Sequence, residues 1–157
     1  MKIAIGSDHA GYELKENLKK FLCNEYDILD VGTNSTESVD YPDFAKKVCE
    51  LIIEKDADFG ILICGTGIGM SITANKFKGI YAALCYDTNT ASLARTHNNA
   101  NILCIGGRTT KIQEAVDIVN TFLTSSFEGE RHERRFEKIK EIENINFKEV
   151  GNDLWYL

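Results

Sequence analysis

Short, uniformly apolar runs alternate along the chain with longer amphipathic stretches, and this alternation constrains the fold more than any other feature. The apolar runs lack the period-two pattern of half-exposed strands, so they are predicted to be buried strands. They lie at 3–6, 28–31, 59–64, 80–85 and 102–105, and helical spacing follows them at 12–23, 43–55, 71–77, 88–97 and 111–123. Five strand–helix units in series predict an α/β fold whose parallel sheet is covered by helices on both faces.

Length and periodicity predict how the chain is divided. The 157 residues, 43% of them hydrophobic, fit a single domain with one substantial core. A polar segment after residue 123 leads into a charged helix predicted at 131–142, and the remaining residues show no clear period. We therefore expect one domain at 1–142 and a C-terminal extension of unknown role at 143–157.

Charge and hydropathy argue against several classes of partner. The formal net charge of -6 argues against a nucleic-acid binder, because phosphate backbones are held by an excess of Lys and Arg. The apolar run after Met1 is too short for a signal peptide, and no later run reaches membrane-spanning length. We therefore expect a cytoplasmic protein with no membrane partner.

Five widely spaced cysteines without a CxxC pair predict reduced thiols, neither disulfides nor a metal site.

The unusual residues of the chain follow the predicted strands. They occupy the loops at 7–11 and 65–69, position 87 and the turn at 106–108. In an open parallel sheet, ligands bind at the carboxyl ends of the strands. The coincidence predicts a binding or catalytic site at that edge of the sheet.

Cys64 ends the third predicted strand and is followed by a loop with alternating glycines, Gly65, Gly67 and Gly69. Backbone N–H groups beside its sulfur would favour a thiolate, which can take a proton from carbon. The same N–H groups could hold a phosphate or a developing oxyanion. For the other four cysteines we expect inert core thiols.

A glycine-rich loop alone is also compatible with a nucleotide-binding module. Asp87 lies 20 residues beyond Gly67, near the spacing of a ribose-binding acid. Met70 stands where a dinucleotide loop carries its third glycine, and no GK[ST] follows. A non-catalytic nucleotide-binding module therefore remains an alternative.

Histidine and arginine residues complete the set of candidates. His9 and His97 fall in a predicted loop and at a helix end, whereas His132 lies in the charged helix and is the weaker candidate. Arg131 and Arg135 are four residues apart and share one helical face, so both could reach one anion. Arg134 points elsewhere, and Arg108 either joins the same anion or caps its turn.

Several segments together resemble the ribose-5-phosphate isomerase B and galactose-6-phosphate isomerase family. The resemblance spans residues 1 to about 142 and is far more specific than any single motif. The matching segments are 6–11 (GSDHAG), 40–43 (DYPD), 64–71 (CGTGIGMS), 97–101 (HNNAN), 107–108 (GR) and 128–132 (EGERH).

The resemblance implies roles for particular residues. Cys64 would move a proton between C2 and C1 of the sugar, with Thr66 assisting, and His97 would promote ring opening. The segment from Gly65 to Gly69 would stabilise the enediolate. The implied substrate-binding residues are Asp8, His9, Tyr41, Gly65, Thr66, Gly67, Ile68, Gly69, Asn98, Arg108, Arg131 and Arg135.

The resemblance also implies a Rossmann-like three-layer sandwich with a five-stranded parallel sheet and a C-terminal helix. It implies a homodimer whose pocket is built from both subunits, with a small sugar phosphate as ligand and no cofactor. The expected reaction is the interconversion of ribose 5-phosphate and ribulose 5-phosphate in the non-oxidative pentose phosphate pathway. An isomerase of a hexose 6-phosphate, of the allose or galactose type, is the alternative; hexose-phosphate relatives tend to lack the matches at His97-Asn98 and Arg108.

Overall fold

The computed structural model describes residues 1–147, which form one parallel sheet with helices on both of its faces. The strands are β1 (Lys2–Ser7), β2 (Asp27–Asp30), β3 (Phe59–Cys64), β4 (Ala82–Leu84) and β5 (Ile102–Gly106). The helices are α1 (Tyr12–Leu22), α2 (Tyr41–Ile53), α3 (Ile68–Ala74), α4 (Thr88–Thr96), α5 (Ile112–Thr124) and α6 (Glu130–Asn146). The strand order is β2-β1-β3-β5-β4 and every pairing is parallel. The predicted α/β sandwich is therefore confirmed.

Two apolar layers cover the sheet, because successive side chains of a strand point to opposite faces. On one face Ile3, Ile5, Ile61 and other strand residues pack under α1, α4 and α5, with Phe122 fully buried among them. On the other face the alternate strand residues pack under α2 and α3. The central strands β1, β3 and β5 are buried on both sides, which explains why they read as continuous apolar runs.

The outer strands differ from the prediction that all five would be buried. β2 and β4 are the edges of the sheet, and their residues are half-buried or exposed. β4 is also shorter than the predicted run, and side-chain amides hydrogen-bond its backbone and that of the residue before it. Asn75 pairs with both the N–H and the C=O of Ala82 at 2.9 Å, and Asn101 Oδ1 accepts from the Tyr81 N–H at 2.8 Å. The Asn75 amide thus takes up backbone groups of this edge strand, which blunts the edge.

Two helices begin close to the candidate site. α2 begins at Tyr41 after Asp40, with Pro42 in its first turn as predicted. α3 begins at Ile68, earlier than the predicted 71, because Gly67 adopts a left-handed φ of 78° and turns the chain directly into the helix.

Helix α6 is longer than predicted and crosses the expected boundary at residue 142. Glu143, placed by the sequence in the extension, accepts hydrogen bonds from the Gly79 N–H at 2.7 Å and the Tyr81 hydroxyl at 2.8 Å. The extension therefore starts inside a helix that packs on the domain, and its part at 148–157 lies outside the described residues. Among residues 1–147, no helix has both the length and the apolar character needed to cross a membrane.

Candidate active site

The glycine loop between β3 and α3 surrounds Cys64. Cys64 is 5% exposed, and its Sγ accepts a hydrogen bond from the Gly67 N–H at 3.2 Å. Thr66 is exposed beside it, and its Oγ1 accepts from the Ile68 N–H at 3.3 Å. One loop N–H thus faces the sulfur, whereas the next one is taken up by Thr66.

Tyr41 and Arg108 lie against the same loop. A Cβ added to Gly69 would stand 2.6 Å from the Tyr41 ring, and one added to Gly65 would stand 3.3 Å from Arg108 Nη1. The Arg108 N–H donates to the Gly65 carbonyl at 3.0 Å. Glycine at these positions lets an aromatic ring and a guanidinium approach the loop from two sides.

Asp8 and His9 follow β1 at the neighbouring strand end. The Asp8 N–H donates to the Ile63 carbonyl at 3.2 Å, which joins this loop to β3. Asp8 is 5% exposed, and its Oδ1 accepts from the N–H groups of Ala10 and Gly11, each at 3.0 Å. His9 Nδ1 accepts from the Val39 N–H at 3.2 Å, so the proton of its neutral ring lies on Nε2.

These residues form what we call the cysteine group: Asp8, His9, Tyr41, Cys64 to Gly69 and Arg108. The group gathers at the carboxyl ends of β1, β3 and β5, where an open parallel sheet binds its ligands.

A second cluster, which we call the histidine group, contains His97, Asn98, Glu128, Arg131, His132 and Arg135. The His97 and His132 rings stack with centroids 3.9 Å apart and planes 10° apart. Arg131 Nε donates to His132 Nε2 at 3.3 Å. Asn98 and Arg135 line a cavity of about 200 Å³ with the two histidines.

His132, the weaker histidine candidate in the sequence, lies in the same cluster as His97. It is buried, and Phe136 four residues later is the other buried residue of α6. That spacing puts both on the inner face of the helix, and it was the signal available in the sequence. Burial lowers the pKa of His132, and the neighbouring His97 and Arg131 lower it further.

The ligand atoms of His97, Glu128 and His132 lie within 4.8 Å of one another, as a metal site would require. The imidazole planes are stacked, however, so their in-plane lone pairs run side by side and do not converge on one point. The stacked arrangement therefore does not suit a metal ion.

Within one chain, the two groups are separate clusters of polar contacts. No hydrogen bond or ion pair among residues 1–147 joins the cysteine group to the histidine group. Arg108 lies with the first group and Arg131 and Arg135 lie with the second. The candidate residues thus form two clusters in the described part of the chain.

The remaining candidate residues have structural roles. Asp87 caps α4, where its Oδ1 accepts from the Thr90 N–H at 2.6 Å and the Thr90 hydroxyl at 2.7 Å. That capping role accounts for Asp87 without a bound ribose.

Burial raises the pKa of Cys49 to about 12 and that of Cys85 to about 11, and it raises the pKa of Cys104 well above its usual value. These three thiols are buried and stay protonated, in agreement with the expected core role. The same expectation is wrong for Cys23, which is exposed because it follows the last residue of α1 at the surface.

Comparison with known proteins identifies the class and then the family. A family model described as Ribose/Galactose Isomerase matches residues 3–139. The structure of Clostridium thermocellum ribose-5-phosphate isomerase B aligns with a TM-score of 0.91 at 50% identity, covering 93% of this chain and 99% of that one. The structure of Mycoplasma genitalium ribose-5-phosphate isomerase B with bound ribulose-5-phosphate gives a TM-score of 0.86 at 44% identity, covering 91% and 96%. A Rickettsia conorii relative, provisionally named as a sugar phosphate isomerase, is 53% identical over 139 residues, or 88% of this chain and 96% of the relative.

The parallel α/β fold and these matches define an enzyme, an isomerase. The chain belongs to the ribose/galactose isomerase family, as its sequence motifs predicted.

Proposed function

We propose that the protein interconverts ribose 5-phosphate and ribulose 5-phosphate. The observation that carries the proposal is the placement of Cys64 at the end of β3, with its Sγ facing the glycine-loop N–H of Gly67. Two aligned structures are ribose-5-phosphate isomerases by name, and one of them holds ribulose-5-phosphate. Family membership supplies the reaction type, and the residues of the cysteine group supply the chemistry.

In the proposed isomerisation, the Cys64 thiolate takes the proton from C2 of the open-chain aldose. The electron pair of the broken C–H bond forms the C1=C2 double bond, and the carbonyl electrons move onto O1 to give an enediolate. Backbone N–H groups of the glycine loop hold that negative charge, with Thr66 beside it. The thiol returns the proton to C1, the O2 hydroxyl proton transfers to O1, and a C2 carbonyl forms. The isomerisation involves no net oxidation or reduction of the sugar, so no redox cofactor is needed.

Ribose 5-phosphate must first open its ring, and we assign this step to His97. An imidazole can take the proton of the anomeric O1 hydroxyl while the C1–O4 bond breaks and O4 gains a proton. This converts the cyclic sugar into the open-chain aldehyde. His97 is 35% exposed on its side chain and therefore within reach of a ligand.

The complete pocket needs two subunits. We infer that the cysteine group of one subunit meets the histidine group of its partner, which joins the base, the ring-opening histidine and the arginines around one sugar. An apolar surface beside the glycine loop supports this pairing: Ile68 is 51% exposed, Ile72 59% and Leu84 37%. Leu84 lies directly against the loop, since its Cδ1 would stand 2.6 Å from a Cβ added to Gly67.

A hexose 6-phosphate of the allose or galactose type remains the second candidate substrate, because the family model covers galactose isomerases as well. His97, Asn98 and Arg108 are present, which favours ribose. A panel of ribose, allose and galactose phosphates, incubated with purified protein and no added cofactor, tests the assignment. Ribose 5-phosphate should give the highest kcat/KM. A higher value for either hexose phosphate would overturn the ribose assignment and leave the isomerase class intact.

A further inference from the structure

Glu128 lies against both stacked imidazoles. Its backbone N–H donates to the Thr96 carbonyl at 3.0 Å, which ties it to the last residue of α4. Its Oε2 is 3.8 Å from His97 Nε2 and 3.6 Å from His132 Nε2. In the part of the chain that the structure describes, no other carboxylate lies within 4 Å of either ring.

The two imidazoles differ in what they can offer this carboxylate. His132 Nε2 accepts a hydrogen bond from Arg131, so it carries a lone pair there and the proton of the neutral ring is on Nδ1. Burial and the nearby cationic Arg131 also favour neutral His132, whose pKa is lowered. His132 therefore has no proton on Nε2 to donate to Glu128.

His97 is placed differently. It is the C-cap residue of α4, and its side chain is 35% exposed. The Glu128 side chain is 56% exposed. Closing the gap between Oε2 and His97 Nε2 by about 1 Å would give a charge-assisted hydrogen bond.

We propose that Glu128 is a positioning residue for His97: its carboxylate holds the Nε2–H of His97 and fixes the ring against neutral His132, which leaves His97 Nδ1 to exchange a proton with the sugar. The proposal rests on the ring-opening role proposed for His97. It also has an electrostatic reason. An imidazolium formed during ring opening would stand among Arg131, Arg135 and His132, and Glu128 is the carboxylate that faces it.

Two kinetic measurements separate positioning from a general structural role. Glu128→Gln removes the charge and keeps the shape, and Glu133→Gln is the matched control because it removes the same charge from the first turn of α6, away from the two histidines. Glu128→Gln should slow turnover of cyclic ribose 5-phosphate about tenfold, less than the ~10²–10⁴-fold contributed by a direct acid–base group. Solvent exchange of the C1 proton of ribulose 5-phosphate, which needs no ring opening, should change less than about twofold, and the control should match wild type in both. Equal losses in turnover and exchange, or no loss in either, would overturn the proposal.

A spectroscopic measurement keeps this proposal separate from the proposed function. The ¹⁵N shifts of the His97 ring report which nitrogen carries the proton, whether or not the protein turns over any sugar. Wild-type protein should show the Nε2–H tautomer, and Glu128→Gln should move the population toward Nδ1–H while the amide spectrum stays folded. An unchanged tautomer would reject the role of Glu128, whereas absent turnover of ribose 5-phosphate by the wild type would reject the function.

Discussion

Two of the three arginines of α6 lie in the histidine group, and the third does not. Arg131 contacts His132, and Arg135 lines the cavity beside His97, whereas Arg134 takes part in no side-chain hydrogen bond or ion pair within residues 1–147. The sequence predicted this division from four-residue spacing alone. In an acidic chain, a bound phosphate depends on such local cations.

We therefore predict that Arg135→Ala weakens binding of a phosphorylated sugar, while Arg134→Ala has little effect. A charge-assisted hydrogen bond is worth about 1.5–3 kcal/mol, so the loss should be roughly tenfold to a hundredfold in affinity. Calorimetric titration of the two variants at low and high salt checks this. If both variants lost the same small affinity and the loss faded with salt, Arg135 would be only part of a screened surface charge.

At the scale of elements, helix α1 is fastened to the edge strand β2 by buried and half-buried ion pairs. Lys15 is 1% exposed and pairs with Asp30 and Glu16, and Lys19 pairs with Asp30 at 2.6 Å. Burial alone would raise the pKa of Asp30, but the hydrogen bonds from Lys15 and Lys19 outweigh it and hold the pKa below its usual value. The stabilisation is thus present above the unfolded-state pKa of about 3.9 and is lost as the pH falls through the folded-state pKa.

Asp30→Asn should lower the free energy of unfolding at pH 7 by about 1–3 kcal/mol, because it leaves Lys15 buried with a weaker partner. Glu50→Gln, which breaks the exposed pair with Lys46, is the control and should cost less than about 0.5 kcal/mol. Urea unfolding at pH 7 and near pH 3 measures both. The deficit of Asp30→Asn should shrink at the lower pH, and a deficit independent of pH would contradict the ion-pair account.

The same scale shows what the sequence could and could not predict. The central strands were predictable because burial on both faces leaves an uninterrupted apolar run. β2 and β4 resemble the central strands in sequence, yet the strand order places them at the edges of the sheet. Strand order is not encoded in local periodicity. The burial of His132 was missed because charged neighbours obscure its four-residue spacing to Phe136, and its stacking on His97 is a tertiary contact that local periodicity does not encode.

At the scale of the whole molecule, the cysteine and histidine groups share no hydrogen bond or ion pair within residues 1–147. Motifs along the sequence did not predict this division. If each pocket takes one group from each subunit, two inactive variants should complement one another. Cys64→Ala and His97→Asn, unfolded together and refolded as a mixture, should form mixed dimers in which one of the two pockets is intact.

We expect that mixture to recover about a quarter of wild-type turnover, since about half of randomly paired dimers are mixed and each has one good pocket of two. Each variant refolded alone is the control and should stay inactive. Recovery no greater than the sum of the two controls would place each pocket within one subunit.

The central claim, that Cys64 is the carbon base of a ribose 5-phosphate isomerase, is tested most directly by proton exchange at the sugar. Ribulose 5-phosphate in deuterated water should incorporate deuterium at C1 with wild-type protein and with Cys85→Ala, whose thiol is buried and protonated. Cys64→Ala should lose the exchange by ~10²–10⁴-fold while still binding the sugar phosphate. Exchange by Cys64→Ala at a rate near that of wild type would contradict the account.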